Sequence, residues 1–268
     1  MEQNIELLAS YWTIAGGALP HTDREYSPFD FKERVEACAR AGFKGFGIWH
    51  ADLEHVLKTR TLQEMKQILD DNGMKHIELE FLSGWFAEGE KKKQSDVQKK
   101  KLLTAAAALH AHHIKVGDFY REQCPMDRLI ETFATLCADA AEHGTSIGFE
   151  LMPFAMINTL EDSLRMVHGA GAKNGGICFD LWHIAKLRIP YDKVARVPAQ
   201  YFVSVELNDG TFEAPWSLHE HTVNHRRFCG EGEFDVRGFI SSTQKAGYKG
   251  LLESKYSRKN CARDRSKS

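Results

Sequence analysis

Along the chain, short apolar runs alternate with longer segments in which apolar residues recur every three or four positions. The first pattern is that of a strand covered on both faces and the second that of an amphipathic crossover helix, so their repetition predicts βα units around a parallel sheet. Strands are expected over residues 6–15, 45–50, 76–82, 113–118, 146–153, 176–183, 201–209 and 250–256. Between them, Ser27-Pro28 offers a helix start before Phe31, Val35 and Ala39, and Gly42 a stop. Further helices are expected over 61–71, ending at Asn72-Gly73, over the alanine-rich 95–110, and over 126–142, ending at His143-Gly144. Three more follow at 159–168, 191–197 and 235–246.

A count of eight such units fits the length, since 268 residues lie close to the ~250 of an eight-unit α/β barrel. No stretch rich in Gly, Pro or Ser divides the chain, so residues 1–256 are read as one (β/α)8 TIM barrel domain. Residues 257–268 are polar and basic without an apolar face, and are expected to be a disordered tail in place of a regular eighth outer helix. A flank left bare in that way leaves room for a homo-oligomer or a partner subunit.

Composition narrows the function. The chain is 43% hydrophobic and 27% charged, enough apolar material for a large core. A formal net charge of −2 argues against nucleic acid or an anionic membrane as partner and leaves a small molecule as the default. The six cysteines form no CxxC pair, and no long apolar segment suggests export or membrane insertion, so a reduced, cytoplasmic setting is expected.

A TIM barrel places its chemistry at the carboxyl ends of the strands. Four acidic residues fall there: Glu150 in the fifth predicted strand, Asp180 in the sixth, Glu206 in the seventh and Glu253 in the eighth. Burying a carboxylate in an apolar run is costly unless it is paired or bound to a cation. Four hard oxygen donors suit Mn2+ or Mg2+ better than a zinc site built from Cys and His. His183, three residues beyond Asp180, falls near the same rim. Lys115, His50, Glu80, Arg226 and Arg227 are further candidates for substrate contact, and Trp12, Trp49, Trp85 and Trp182 for an apolar wall.

The runs Gly148-Phe-Glu150, Asp180-Leu-Trp-His183, Glu206-Leu-Asn-Asp-Gly210 and Arg226-Arg-Phe-Cys-Gly-Glu-Gly-Glu-Phe-Asp235 resemble the xylose isomerase-like TIM barrels. That superfamily includes keto-sugar epimerases, hydroxypyruvate isomerase, inosose dehydratase and endonuclease IV. The resemblance implies a metal held by acidic residues of strands five, six and eight with a His or Gln of strand seven. Carried over, these are Glu150, Asp180, Glu253 and Glu206. Glutamate at the seventh-strand position and the short approach to Glu253 both depart from that pattern. The implied chemistry is proton abstraction next to a carbonyl, with the metal stabilising an enediolate and Glu150 and Glu253 moving the proton. His183 and Lys115 would assist.

The expectation is therefore a metal-dependent isomerase or epimerase of a sugar or keto-sugar. A lyase or dehydratase acting on a keto-sugar, an inosose or a 3-keto-glycoside is the rival within catalysis, and a non-catalytic sugar-binding or subunit barrel the rival outside it. The histidines at 219, 221 and 225 invite a three-zinc endonuclease reading. The slightly acidic chain argues against it, and they are placed on a loop over the active site instead. Lys91 to Lys93 and Lys99 to Lys101 are read as a solvated helix face.

Overall fold

A computed structural model describes residues 6–119 and 121–256. The tail expected at 257–268 lies outside the described residues. Eight parallel strands close into a barrel in sequence order. They are β1 (Leu7–Ala9), β2 (Gly45–Trp49), β3 (His76–Leu82), β4 (His113–Val116), β5 (Ser146–Glu150), β6 (Gly175–Asp180), β7 (Phe202–Leu207) and β8 (Leu252–Ser254). Closure is made by β8 pairing with β1, where Leu8 lies opposite Glu253.

The strands alternate with period two, as a pleated sheet requires. Ile77, Leu79, Ile114, Val116, Ile147, Phe149, Ile177, Phe179 and Val205 are buried in the main hydrophobic core. There they meet the apolar stripes of the outer helices, including Phe31 and Val35, Met65 and Leu69, and Phe133 and Leu136. Burying each such side chain contributes roughly 1.5–3 kcal/mol. The intervening positions, Glu78, Glu80, His113, Lys115, Glu150, Asp180, Glu206 and Glu253, are buried too, and contact one another across the barrel. Where such barrels commonly hold stacked aliphatic layers, this one holds ion pairs.

The outer helices start where local chemistry places them. Thr61 and Glu64 form a capping box at helix Leu62–Asp71, and Thr159 caps Leu160–Ala170. Helix Met126–Glu142 has the expected bounds. Helix Gly89–Leu109 begins six residues earlier than expected, and Asp30 rather than Ser27 caps Phe31–Arg40.

β3 has the expected bounds and the other strands are shorter than their apolar runs, two of them for a clear local reason. Residues 6–15 split into β1 and a short helix, Tyr11–Ile14, whose backbone crosses β2 so closely that a Cβ on Gly47 would lie 2.6 Å from the Tyr11 nitrogen. The sixth run stops at Asp180, because its carboxylate accepts the Trp182 N–H at 2.8 Å and caps helix Leu181–Lys186. Both turns stand at the carboxyl end of the barrel, where they bring side chains over its mouth. No helix among the described residues is long and apolar enough to cross a membrane.

Candidate active site

A cleft of about 600 Å3, including its open mouth, lies over the carboxyl ends of the strands. Its wall is aromatic: Trp12 and Trp49 pack with ring centroids 5.1 Å apart, and Phe81, Phe119 and Phe154 continue the surface. Its polar side is made by Glu25, Glu80, Glu150, His183, Arg226 and Lys255. An apolar wall facing a few convergent polar groups is the usual form of a small-molecule site.

The floor is an ionic network. Lys255 Nζ lies 2.7 Å from Glu150 Oε1, 2.9 Å from Glu206 Oε2 and 3.4 Å from Asp180 Oδ2. Beneath it, Lys115 donates to Glu206 and lies 3.3 Å from Glu80 and 3.0 Å from Glu78. Arg226 donates to Asp180 Oδ2 at 2.7 Å, and Asn208 to Asp180 Oδ1 at 2.7 Å. His183 Nε2 faces Glu150 Oε1 at 3.3 Å and Asp180 Oδ2 at 3.6 Å, while its Nδ1 is buried with no hydrogen-bond partner among the described residues. The contact to Glu150 assigns the ring proton to Nε2.

These contacts divide the carboxyl groups into two kinds. Burial pushes every one of them up, but the Lys255 ammonium holds Glu150 well below the usual range and the Arg226 guanidinium does the same for Asp180. Glu78 is likewise lowered by Lys115 and His113. Burial prevails at Glu80, at Glu253 and at Glu206, which is pushed up to about 8. Three carboxylates thus stand against three cations, Lys115, Lys255 and Arg226, and burial strengthens the hold on the proton at the remaining three carboxyls, most at Glu206 and Glu253. His183 is held neutral by burial.

A second group lies deeper. Glu78, His113 and Glu253 bring one ligand atom each within 4.8 Å of one another, as Glu150, Asp180 and His183 do above. His113 Nε2 is 3.0 Å from Glu78 and 3.8 Å from Glu253, and neither oxygen of Glu253 has a hydrogen-bond partner among the described residues. None of the three lines the cleft.

Residues 35–267 match the family model described as xylose isomerase-like TIM barrel. The chain belongs to that family. Among curated proteins it is similar to a 3-dehydroshikimate dehydratase of Pseudomonas aeruginosa, 30% identical over 129 residues. That match takes in 46% of this chain and 20% of the relative. A 3-dehydroshikimate dehydratase of Pseudomonas putida is 24% identical over 236 residues, 82% of this chain and 35% of the relative. The matches therefore cover between a fifth and about a third of their lengths.

Solved structures share the barrel at low identity. A fusion of a xylose isomerase-like TIM barrel with 4-hydroxyphenylpyruvate dioxygenase superposes with a TM-score of 0.82 at 18% identity, over 96% of this chain and 39% of that one. The IOLI protein with a bound zinc gives 0.80 at 16%, over 95% and 90%. A 3-keto-D-glucoside 4-epimerase from E. coli gives 0.71 at 17%, over 98% and 95%.

The zinc-bound relative and the two donor groups point to a divalent metal in this family of sites, without choosing Mn2+ or Mg2+. In this xylose isomerase-like barrel, however, the upper donors do not fit such an ion while Lys255 stands among them. Its ammonium lies against Glu150 Oε1 and Asp180 Oδ2, the oxygens that face His183. A divalent ion placed there would meet a positive charge at contact distance.

Of the residues expected from sequence, Trp12, Glu80, Glu150, His183 and Arg226 line the cleft, with Asp180, Glu206 and Lys115 in the network below. Glu253 joins the deeper group. His50 begins a helix after β2, with Nδ1 3.5 Å from the Phe81 nitrogen, and Arg227 is exposed and bonds the Glu231 carbonyl. Trp85 packs on Phe86 and Phe133, and Trp182 on His221 and Phe234. His219 lines the cleft beside His21, whereas His221 packs against Lys186.

Sequence reasoning missed Lys255. The signal was there: it follows Glu253 by two positions, so both side chains point inward, and it stands nearer the strand's carboxyl end. Glu25 was missed for a different reason, since it arrives from a loop with no periodic pattern.

Proposed function

We propose that this chain removes a proton next to the carbonyl of a polyhydroxylated, sugar-like keto compound and expels a β-hydroxyl as water. The observation that carries this reading is the Glu150–His183 pair on the cleft floor, beside two cations and opposite in character to Glu80. Titratable groups pushed in opposite directions within one site mark an acid and a base.

The geometry supports the following steps. Glu150, held ionised by the Lys255 ammonium, takes the α-proton, while the Nε2–H of His183 faces its Oε1 and orients the carboxylate. The electron pair of the broken C–H bond moves to the carbonyl oxygen, whose negative charge is countered by Lys255 and Arg226 at the cleft. Glu80, whose carboxyl holds a proton more tightly for being buried, is placed to give it to the departing hydroxyl as the enolate collapses. The aromatic wall excludes water from the intermediate.

Dehydration is favoured over epimerisation because both curated relatives are dehydratases. The two-carboxylate shuttle through Glu150 and Glu253 also lacks Glu253 at the cleft. The shared first step makes one experiment decisive. The protein is incubated in D2O with 3-dehydroshikimate, inososes and 3-keto-glycosides, and followed by NMR and mass spectrometry. Loss of water from one substrate class is expected, sharply reduced in Glu150→Gln. Deuterium incorporation without loss of mass would replace the dehydratase by an epimerase, and neither event with any substrate, together with tight sugar binding, would overturn catalysis itself.

A further inference from the structure

The disagreement between the donor set and a divalent ion has a specific origin at the end of β8. Glu253 is the last acidic residue of that strand, and it pairs across to Glu206 on β7 and to Leu8 on β1. The ladder then continues one step, with the Lys255 N–H donating to the Leu207 carbonyl at 3.0 Å. The two-residue period of the strand keeps Lys255 on the same inward side as Glu253 and raises it toward the mouth. The layer in which carboxylates converge therefore receives from β8 an ammonium rather than an acid.

That ammonium is held by the site. Of its three N–H donors, two go to Glu150 on β5 and Glu206 on β7 at 2.7 and 2.9 Å, and Asp180 on β6 lies at 3.4 Å as an ion-pair contact, which leaves one donor for a ligand. All three distances are longer than the 2.0–2.2 Å at which Mg2+, Mn2+ or Zn2+ holds an oxygen. Lys255 is 7% exposed, so it does not reach the position from solvent as a loose surface side chain would. Lys115 and Arg226 close the same carboxylates from below and from the side.

We propose that the Lys255 ammonium is the resident cation of this site, occupying the position of a divalent metal, and that the upper site is metal-free. The ammonium neutralises the converging carboxylates and, at the cleft, faces the oxygen on which charge develops. It also sets the mode of substrate capture. A single N–H donor directed at one oxygen replaces the chelation of two neighbouring oxygens that an octahedral ion would provide. The proposal concerns this chain's own residues and is read without any substrate, so its failure and that of the dehydratase reading are separable.

The test is metal content by elemental mass spectrometry after loading the full chain with Mn2+, Zn2+ or Mg2+ and dialysing, with thermal melts in Mn2+ and in EDTA. Wild type is expected to retain less than about 0.1 ion per chain and to melt at the same temperature in both. Lys255→Glu, which adds a fourth acid and removes the competing charge, is expected to retain about one Mn2+ or Zn2+ and to melt higher in its presence. Lys255→Gln serves where the glutamate variant does not fold: loss of the ammonium alone should raise the affinity for Mn2+ by at least about tenfold over wild type, read by electron paramagnetic resonance. About one ion per wild-type chain, lost in Glu150→Gln but kept in Glu253→Gln, would overturn the proposal.

Discussion

Two buried groups in this barrel have nearly the same inventory and opposite surroundings. The upper one, Glu150, Asp180 and His183, lies at the cleft and is balanced by Lys255 and Arg226. The lower one, Glu78, His113 and Glu253, is sealed inside, and its surplus acid, Glu253, is balanced by keeping a proton. A triad of His and carboxylates is therefore not a site by composition. What distinguishes the upper triad is charge supplied by other strands together with access to a ligand.

The sharpest way to test this contrast is to make one substitution in both groups. Glu150→Gln should lower the turnover of the identified substrate by about 10^2–10^4-fold, because the carboxylate that takes the proton is lost. Glu253→Gln should leave turnover within about threefold and stability within about 1 kcal/mol, since it replaces a protonated carboxyl by a neutral group of the same shape. Equal losses in both would erase the distinction.

Next in size is the removal of the cation. Lys255→Met should destabilise the metal-free protein by roughly 3–5 kcal/mol in chemical denaturation, because it leaves buried carboxylates uncompensated. A change near zero would mean that Lys115 and Arg226 suffice.

The last contrast is in pH dependence. The folded Glu206 carboxyl has its pKa raised to about 8 from 4.5 by burial. Its stabilising contribution is full below pH 4.5, declines as pH rises, and is lost above about 8. Glu150 and Asp180, held low, act in the other direction, and their contribution is lost only under acid conditions. Melting temperature should therefore fall gently between pH 5 and 8 in wild type, and Glu206→Gln should flatten that decline. An unchanged slope would show that Glu206 is ionised between its two lysines.

Much of the architecture was legible before any coordinates. The bounds of helix Met126–Glu142 follow from its apolar stripe and its His143-Gly144 stop, and β3 and its neighbours from apolar runs. Strand ends were less legible: the run through Asp180 continues apolar into Leu181 and Trp182, and only the Asp180 side chain turning back to cap the next helix ends the strand. In the site, Glu150, Asp180 and His183 stood out because charged residues in apolar runs are conspicuous. Lys255 did not, because a lysine close to a polar, basic segment reads as solvated.

The sequence alone determined the closed βα barrel, through the spacing of its apolar runs, and determined which residues point inward, through a period of two. It could not say how deep each inward residue sits. Glu150 and Lys255 are separated by 105 positions and Glu206 and Lys255 by 49. Only the stagger of neighbouring strands decides that these meet in one layer while Glu253 falls in the layer below. Tertiary structure thus chose the sign of the charge at the centre of the site, because the fields of side chains from four strands add there and nowhere along the chain.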